Sequence, residues 1–375
     1  MIYLDYSANT PVDARVLEQF CAVERRCIGN ANSHHQAGSA AKAEIDAATI
    51  KIASLLGVQP AEIIYTSGAS EANNFALKGL ARLSRHAGRH IISTPLEHSS
   101  VSGTLTALQE QGYEIDLLDV KQDGTVDLEH LKDLLRPDTI CVAVTLVDSE
   151  LGVVQPVQEI AAILKTYPHC HLHVDATQAV GKIPVSFEGV DTMSLTAHKF
   201  YGLNGIGLLI KRRNLALEPL IHGGESTTIY RSGTPTVALA SSLACALDLA
   251  VIDLPNRVDH VAKLNAELRA ALSTYPLVRI NSPDHAIPHV LNLSVRNVKG
   301  TVFQRELDAK GVCVSVKSAC SSDGLPSRAV FAVSRDRRNA LSSWRISLSH
   351  LTTEDESKAF LQAFDVCYRE LTAVH

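Results

Sequence analysis

The sequence lacks long apolar runs, paired cysteines, internal repeats and a strong excess of either charge. No apolar stretch is long enough for a membrane span, and Met1 to Asp5 reaches an acidic residue too early for a signal peptide. With a formal charge of −5, the chain lacks the extended positive potential that attracts nucleic acid or an anionic membrane. Basic clusters at Lys211–Arg213 and Arg335–Arg338 are either local docking patches or solvated surface. We therefore expect a cytoplasmic protein without membrane or direct nucleic-acid binding.

The cysteines are scattered along the sequence rather than closely spaced in pairs. The eight cysteines show no CxxC spacing, which argues against a disulfide scaffold or zinc ribbon. His169 to His173 offers metal-capable groups, but ligands at alternate strand positions seldom converge on one ion, so we expect no metal site. Most cysteines are expected to be small core residues. Cys320 differs, because the serines, glycine and proline after it predict an exposed loop in which a reactive thiol is accessible.

Apolar periodicity predicts an α/β fold. With 375 residues and 46% hydrophobic content, the chain is large enough for two or more cores. Helical spacing at 41–56 and 258–272 alternates with short apolar runs, which favours a mostly parallel sheet followed, after a break near Leu254 and Pro255, by a second unit. The predicted strands are Ile63–Tyr65, His90–Ser93, Ile140–Leu146, His171–Val174, Thr192–Leu195, Ile206–Ile210 and, in the second unit, Val290–Ser294.

An acid and a lysine follow two neighbouring predicted strands. Asp175 ends the apolar run 172–174, and Lys199 follows the run 192–195. Open α/β sheets bind ligands at the carboxyl edge of their strands. An acid opposite a protonated ring nitrogen, together with a lysine that forms a Schiff base, is what pyridoxal 5'-phosphate requires, because the charged ring is a stronger electron sink. Taken singly, Asp175 would be interpreted as a helix or turn cap and Lys199 as a solvated surface charge.

Two glycine-containing turns compete as phosphate sites. Gly68, Ala69 and Ser70 lie between a predicted strand and a helix, where backbone N–H groups and the helix dipole favour a phosphate dianion. The segment 202–207 has the glycine density of a nucleotide loop, but a dinucleotide fingerprint opens a helix, whereas this segment runs into a predicted strand. We therefore expect the phosphate at residues 68–70 and a sharp turn at 202–207.

Motifs in a fixed order cover nearly the whole chain. They are YLDYSANTP at 3–11, TSGASEANN at 66–74, Glu97-His98, HVDATQ at 173–178, AHKFYG at 197–202 and RSGT at 231–234. Together they resemble the NifS/IscS-type cysteine desulfurases of the class V aminotransferase group. The resemblance implies the α/β architecture of PLP fold type I. A large domain, residues 13–253, would contain the mostly parallel central sheet, and a smaller α+β domain, residues 1–12 and 254–375, would carry the catalytic-cysteine loop.

The resemblance also implies which residues hold the cofactor. The implied set is Gly68, Ala69, Ser70, Thr196 and His198 around the phosphate, Thr234 from the second subunit of a homodimer, and Asp175, Gln178, Ser149 and Lys199 around the ring. Gln178 would direct its amide to the ring hydroxyl, and Lys199 would be the covalent anchor. No metal is implied.

The implied reaction converts L-cysteine to L-alanine. Lys199 would move the α-proton, His98 would stack on the ring and allow proton transfer, and Arg345 would bind the substrate carboxylate with its two-pronged guanidinium. Cys320, in SACSSDG, would attack the substrate sulfur and pass the resulting persulfide to an acceptor protein. Two alternatives stay open: another PLP enzyme of this fold, such as a selenocysteine lyase or an aminotransferase, and an inactive scaffold.

Several positions depart from the family motifs. Ser149 replaces an asparagine of VNNEIG, Lys317 replaces a loop glycine, and Ser349 and His350 replace a Gly-Arg pair. The segment 223–230 also differs from the usual loop before RSGT. These departures predict a branch dedicated to one pathway, such as tRNA thiolation, DNA phosphorothioate modification (phosphorothioation) or iron-sulfur cluster assembly.

Overall fold

The computed structural model describes residues 1–317 and 325–373. The strands are β1 Ile2–Tyr3, β2 Ile63–Thr66, β3 His90–Ser93, β4 Glu114–Leu117, β5 Thr139–Thr145, β6 His171–Asp175, β7 Thr192–Thr196, β8 Gly207–Lys211, β9 Val278–Ile280, β10 Val290–Val295, β11 Val312–Cys313 and β12 Ser343–Ser347. The helices are α1 Ala14–Arg26, α2 Gln36–Leu56, α3 Ala69–Ser84, α4 Ser99–Gln109, α5 Leu128–Leu134, α6 Val157–Leu164, α7 Val237–Ile252, α8 Leu254–Leu272, α9 Gly300–Ala309, α10 Arg328–Ser334, α11 Arg337–Ser342 and α12 Glu354–Thr372.

A seven-stranded sheet of order β2-β8-β7-β6-β5-β3-β4 forms the centre of the molecule. Only β8 is antiparallel to its neighbours, β2 and β7, so the predicted mostly parallel sheet is confirmed. Strand β5 is buried along its whole length and is apolar at most positions, as expected for a sheet covered on both faces. The sequence prediction missed β4, because this edge strand is largely exposed and carries two acids.

The carboxyl edge of this sheet brings the predicted site together. Thr145 at the end of β5 is paired with Asp175 at the end of β6, and Asp175 is paired with Ser194 of β7. A short 3₁₀ helix, Ala197–Lys199, follows β7 directly. Because β5, β6 and β7 are parallel, the residues that follow them meet at one edge, which is where ligands bind in this class of sheet.

A second core surrounds the antiparallel sheet β12-β10-β9. Phe303 stacks on Trp344 with ring centroids 5.1 Å apart, and Phe360 and Phe364 pack around this pair. The first residues of the chain join this core, because β1 pairs with β11 and Leu4 is fully buried there. The division into residues 13–253 and the remainder stays a prediction.

Helices α7 and α8 meet at a bend of 65°, next to the predicted break. Pro255 lies in the first turn of α8, where its missing N–H removes no helical hydrogen bond. Within residues 1–317 and 325–373, no single helix has the length and apolar composition needed to cross a membrane. The bent pair α7 and α8 meets those two criteria only when both helices are taken together.

Most of the described cysteines lie in or against the apolar cores, as predicted, although only three are fully buried. Buried cysteines are Cys141, Cys170 and Cys367, whereas half-buried ones are Cys21, Cys27, Cys245 and Cys313. Cys21 belongs to the amphipathic α1, which buries only one face, and Cys27 caps the end of that helix. The partial exposure of Cys21 and Cys27 is therefore explained by their positions on α1 and does not indicate reactive thiols.

Strand β8 passes very close to the start of α3. A Cβ atom at Gly207 would lie 2.6 Å from the carbonyl oxygen of Leu195 and 2.7 Å from Cα of Gly68. Gly68 has a φ of 152°, a conformation that side chains rarely allow. These two glycines together permit the sheet to contact the first turn of α3.

We expect Gly207→Ala to lower the free energy of unfolding by about 1–3 kcal/mol, the usual cost of adding atoms to a packed region. Urea unfolding followed by circular dichroism measures this change. Gly103→Ala is the matched control, because Gly103 lies in α4 and a Cβ there meets no heavy atom within 4 Å. The control should be neutral or stabilising by up to about 1 kcal/mol. Equal losses in the two variants would contradict the close-approach argument.

Candidate active site

A cavity of about 340 Å³ opens at the carboxyl edge of the central sheet. The predicted residues that line it are Gly68, Ala69, Ser70, His98, Ser149, Asp175, Gln178, Thr196, His198, Lys199 and Arg345. Thr234 is exposed and lines a different pocket of the same chain, so the structure does not bring it to this cavity. Cys320 lies outside the described residues.

Asp175 is held by Asn73, which sequence analysis did not single out. Asn73 is fully buried and donates from Nδ2 to Oδ2 of Asp175 at 2.8 Å. The backbone N–H of Thr177 donates to the other carboxylate oxygen at 2.9 Å. Nε2 of His173 lies 3.0 Å from Oδ1 of Asn73, and Nδ1 of His173 lies 2.9 Å from the Thr192 hydroxyl. Burial lowers the pKa of His173 to about 4, so this support is neutral.

His98 is the N-cap of α4 and joins the same network. Its Nδ1 accepts the backbone N–H of Ser100 at 3.1 Å, and the Ser100 hydroxyl accepts a hydrogen bond from Asn73 at 2.9 Å. Burial lowers the pKa of His98, which favours the neutral ring. Since Nδ1 is an acceptor, the proton of this neutral ring lies on Nε2. One buried amide thus fixes both Asp175 and His98.

Lys199 contacts the beginning of the chain. Its Nζ donates to the carbonyl oxygens of Ser7 and Ala8, both at 2.7 Å. Nε2 of Gln178 donates to the same Ser7 oxygen at 2.9 Å, and Oε1 of Gln178 accepts from Nζ of Lys182 at 2.6 Å. Burial, followed by the nearby cations Lys199 and Arg345, lowers the pKa of Lys182 to about 7. The motif around Ser7 carried the family resemblance, but its backbone role has no sequence signal.

The donors around α3 fit a phosphate group. Gly68 is the N-cap of α3 and supplies no side-chain cap, so the first-turn N–H groups are available to an anion. Thr196 Oγ1 lies 3.5 Å from the Cβ position of Gly68 and 3.0 Å from Nδ1 of His198. Burial lowers the pKa of His198 to about 4. Backbone N–H groups, hydroxyls and an imidazole form a donor set that matches a phosphate.

Asp175 can act as the partner of a protonated ring nitrogen. Its carboxylate lines the cavity, is 4% exposed and receives two hydrogen bonds from neutral donors. The hydroxyl of Thr177, beside it, is buried without a hydrogen-bond partner in the described chain. The cavity therefore provides an acid, an amine and a phosphate cradle, which is the combination that pyridoxal phosphate needs.

Arg345 of β12 completes the cavity from the second core. It is 1% exposed; Nη1 donates to the carbonyl oxygen of Ser149 at 2.7 Å and Nη2 to Oδ1 of Asp5 at 3.0 Å. Nε is buried and has no hydrogen-bond partner among the described residues. The other carboxylate oxygen of Asp5 accepts from the Ser315 hydroxyl at 2.8 Å. Asp5 thus orients a guanidinium that retains free donors for a carboxylate.

Glu97, directly before His98, is a buried acid that sequence analysis treated only as part of a motif. Its Oε1 accepts from the hydroxyl of Thr94 and the backbone N–H of Thr145, both at 2.8 Å. Its Oε2 is buried without a partner in residues 1–317 and 325–373. Burial raises the pKa of Glu97 to about 8, so the carboxyl group is mostly protonated at neutral pH.

Glu97→Gln should flatten the pH dependence of stability. The folded pKa of Glu97 lies above its ordinary value of 4.5, so its contribution is complete below that value and is lost as the pH rises through about 8. The neutral amide keeps the Oε1 acceptor, and we expect the variant to be more stable than wild type near pH 8 and similar near pH 5. Urea unfolding at both pH values measures this. The prediction would be contradicted if Glu97→Gln kept the wild-type dependence of the free energy of unfolding on pH. It would also be contradicted if the exposed control, Glu129→Gln, showed the same change.

The chain matches the family model described as Aminotransferase class-V over residues 2–360. It is 35% identical over 378 residues to a Dictyoglomus turgidum protein named cysteine desulfurase IscS, covering 100% of this chain and 96% of that protein. A solved NifS-like protein matches with a TM-score of 0.91 and 36% identity over 97% of this chain and 98% of that one. The structure of SspA in complex with cysteine matches with a TM-score of 0.83 and 30% identity, covering 94% and 100%.

These similarities extend over the whole chain rather than over isolated motifs. They confirm the predicted fold, because the NifS-like structure has the same α/β architecture, PLP fold type I. They also agree with the cavity, in which an acid, a lysine and a phosphate cradle face one another. The chain therefore belongs to the class-V aminotransferase family as a homologue of the IscS and NifS cysteine desulfurases, and it is a pyridoxal phosphate-dependent enzyme.

Proposed function

We propose that this enzyme converts L-cysteine to L-alanine and retains the sulfur as a persulfide on Cys320. The observation that carries the proposal is that Asp175, Lys199 and Arg345 line one cavity. An amino-acid substrate requires a group for its carboxylate and a base for its α-proton, and Arg345 and Lys199 are suited to these two tasks. A relative that is 35% identical over the full length of this chain, and that is named a cysteine desulfurase, supports cysteine as the substrate.

Pyridoxal phosphate, when bound, supplies an electron sink that weakens the bonds at the substrate Cα. Gly68, Ala69, Ser70, Thr196 and His198 would hold its phosphate. Asp175 would stabilise the charge on its ring nitrogen, Lys199 would be its covalent anchor, and Gln178 and Ser149 would lie beside its ring hydroxyl. Lys182 fixes the amide oxygen of Gln178 and the Ser7 carbonyl oxygen accepts one N–H of its NH2 group, so the second N–H is the one that would serve the ring hydroxyl.

Lys199 is suited to move the α-proton. The carbonyl oxygens of Ser7 and Ala8 accept hydrogen bonds from Nζ and hold the amine at the cavity that Lys199 lines. In its neutral form the amine has a lone pair, which would take the proton from Cα. His98, neutral and with its proton on Nε2, would hold a donor toward the cavity. Both assignments follow from hydrogen bonds of this chain's own residues.

The sulfur step belongs to Cys320. Its thiolate attacks Sγ of the substrate, an S–S bond forms and the Cβ–Sγ bond breaks. The electron pair remains on the carbon side, Cβ takes up a proton, and the product is alanine. The enzyme keeps one sulfur atom as Cys320–S–SH, so no external oxidant is required.

The subunit arrangement and the acceptor are part of the proposal. Thr234 is exposed and lies outside the cavity of its own chain, which supports a homodimer in which it serves the phosphate of the second subunit. The persulfide would pass to an acceptor protein in the cytoplasm. The departures at Ser149, Lys317, Ser349 and His350 favour one dedicated pathway, such as tRNA thiolation, DNA phosphorothioation or iron-sulfur cluster assembly.

Cys320→Ala tests the reaction type. The purified enzyme should show a cofactor band at roughly 410–430 nm, and L-cysteine should yield alanine in wild type. In the variant we expect the band to remain and alanine formation to fall by about 100-fold or more, because the nucleophile is absent. Cys21→Ala is the control and should behave as wild type. Alanine release that does not need Cys320 would favour a selenocysteine lyase, transamination would favour an aminotransferase, and no cofactor band would favour a scaffold.

Asp5→Asn tests the carboxylate site. The variant keeps the shape of Asp5 but removes the charge that orients Arg345, so we expect KM for L-cysteine to rise about tenfold, in line with hydrogen bonds to charged groups. We expect kcat to change by less than about threefold, because the interaction serves substrate and transition state alike. Steady-state kinetics separate the two effects. Asp13→Asn, which affects a pair with the exposed Arg15, is the control. A KM that is unchanged or lower would show that Asp5 does not position Arg345.

A further inference from the structure

The turn that follows β12 contains two of the departures from the family motifs, Ser349 and His350. Ser349 is fully buried and His350 is half-buried. The backbone N–H of Ser349 donates to the Thr352 hydroxyl at 3.1 Å, and Oγ of Ser349 accepts the backbone N–H of Leu351 at 3.0 Å. The turn therefore fixes the direction of the Ser349 side chain.

Both departures contact the same side chain, Tyr201, which lies two residues after Lys199. The hydroxyl groups of Tyr201 and Ser349 share a hydrogen bond. The ring of His350 meets the ring of Tyr201 edge to face, with the ring centroids 4.5 Å apart. Burial raises the pKa of Tyr201 to about 12, so the phenol keeps its proton at neutral pH. The glycine that Ser349 replaces has no side chain for this contact.

Tyr201 has a left-handed backbone conformation. Its φ is 68°, which is unfavourable for a residue that carries a side chain. Such a conformation persists only where the surrounding contacts hold it. The backbone N–H of Tyr201 donates to Oγ1 of Thr10 at 2.8 Å, and its carbonyl oxygen accepts the backbone N–H of Asp13 at 3.0 Å. The backbone of Tyr201 is thus held by the N-terminal part of the chain, and its side chain by the turn after β12.

These contacts extend to the residue before Lys199. Thr10 donates to the carbonyl oxygen of His198 through its backbone N–H at 3.0 Å and through its hydroxyl at 2.9 Å. The chain on both sides of Lys199 is therefore bound to Thr10, at His198 and at Tyr201. The described residues that line the cavity include neither Tyr201 nor Ser349. Their contact thus acts on the cavity through the backbone that carries Lys199.

We propose that Ser349 is a positioning residue that, through Tyr201, holds the backbone of Lys199 at a fixed position relative to Arg345. For the role of Lys199 as covalent anchor, this inference rests on the proposed function. Arg345 belongs to β12 and Ser349 to the turn directly after it, so the hydrogen bond to Tyr201 joins the segment that carries the guanidinium to the segment that carries the amine. The two groups would act on one amino acid, at its carboxylate and at its Cα. A shift of about 1 Å between them would therefore slow the reaction strongly.

A double-mutant cycle tests the contact itself without using the desulfurase reaction. The variants are Ser349→Ala, Tyr201→Phe and their combination, and urea denaturation of the full-length protein gives the unfolding equilibrium constant of each. Because both single changes remove the same hydrogen bond, we expect the combined effect to be about fivefold smaller than the product of the single effects. Tyr113→Phe with Ser349→Ala is the control pair, because the Tyr113 hydroxyl donates to the Ala81 carbonyl oxygen in a different core, and these effects should multiply. Effects of Ser349→Ala and Tyr201→Phe that also multiply would overturn the proposal.

A pair of ligands tests whether the contact positions Lys199. Pyridoxal 5'-phosphate has an aldehyde that condenses with Nζ of Lys199 and releases water, whereas pyridoxine 5'-phosphate has an alcohol in its place and cannot form this bond. Changes in the phosphate and ring sites affect both compounds alike, so the ratio of their affinities for the cofactor-free enzyme reports the bond to Lys199. Equilibrium dialysis measures both affinities. We expect Ser349→Ala to lower the ratio about fivefold, because an amine that is not held in one position loses more freedom when it bonds.

Ser343→Ala is the matched control for the affinity ratio. Ser343 is a fully buried serine of β12, and its hydroxyl donates to the Ala340 carbonyl oxygen at 3.0 Å. The control should leave the ratio unchanged. An unchanged ratio in Ser349→Ala, or an equal decrease in both variants, would overturn the positioning role. If the wild type prefers pyridoxal 5'-phosphate but forms no alanine from L-cysteine, the proposed function fails, whereas the affinity ratios still decide the role of Ser349.

Discussion

Buried charge is the constraint around which the site is arranged. An ion taken from water into a protein interior loses several kcal/mol of solvation, so it persists only with well-placed partners. Three side chains meet in one cavity, and each has at least one partner from a distant part of the chain. The partners include Asn73 and Thr177 for Asp175, Ser7 and Ala8 for Lys199, and Asp5 and Ser149 for Arg345. The position of each reactive group is therefore set by elements distant in sequence.

The same constraint shifts the pKa values of the surrounding titratable groups toward their neutral forms. Burial lowers the pKa of His173 to about 4 and that of Lys182 to about 7, and raises that of Glu97 to about 8. His173 and Glu97 are thus mostly neutral near pH 7, whereas Lys182 is partly charged. The neutral groups provide directed hydrogen bonds without competing for the carboxylate, the amine or the guanidinium of the cavity.

Much of the site was predictable from sequence, because residues that follow parallel strands converge at one sheet edge. Asp175 and Lys199 could be placed in this way from apolar runs alone, and the ordered motifs added His98 and Arg345. The partners could not be predicted: Asn73 resembles any polar residue of a helix face, and the carbonyl oxygens of the N-terminal segment carry no side-chain signal. Hydrogen bonds between backbone and distant side chains depend on tertiary packing, which local patterns do not encode.

The N-terminal segment has a consequence for how the enzyme is made. Ile2 pairs with Val312, Asp5 contacts Arg345, and the Leu4 carbonyl accepts the backbone N–H of Ser347. During synthesis the first residues leave the ribosome many seconds before these partners, at the usual elongation rate of about 5–20 residues per second. All seven strands of the large sheet are synthesised before β12, so Arg345 and its contact with Asp5 can join the cavity only after those strands have emerged. The wall of the cavity that β12 supplies is therefore the last part that the growing chain can assemble.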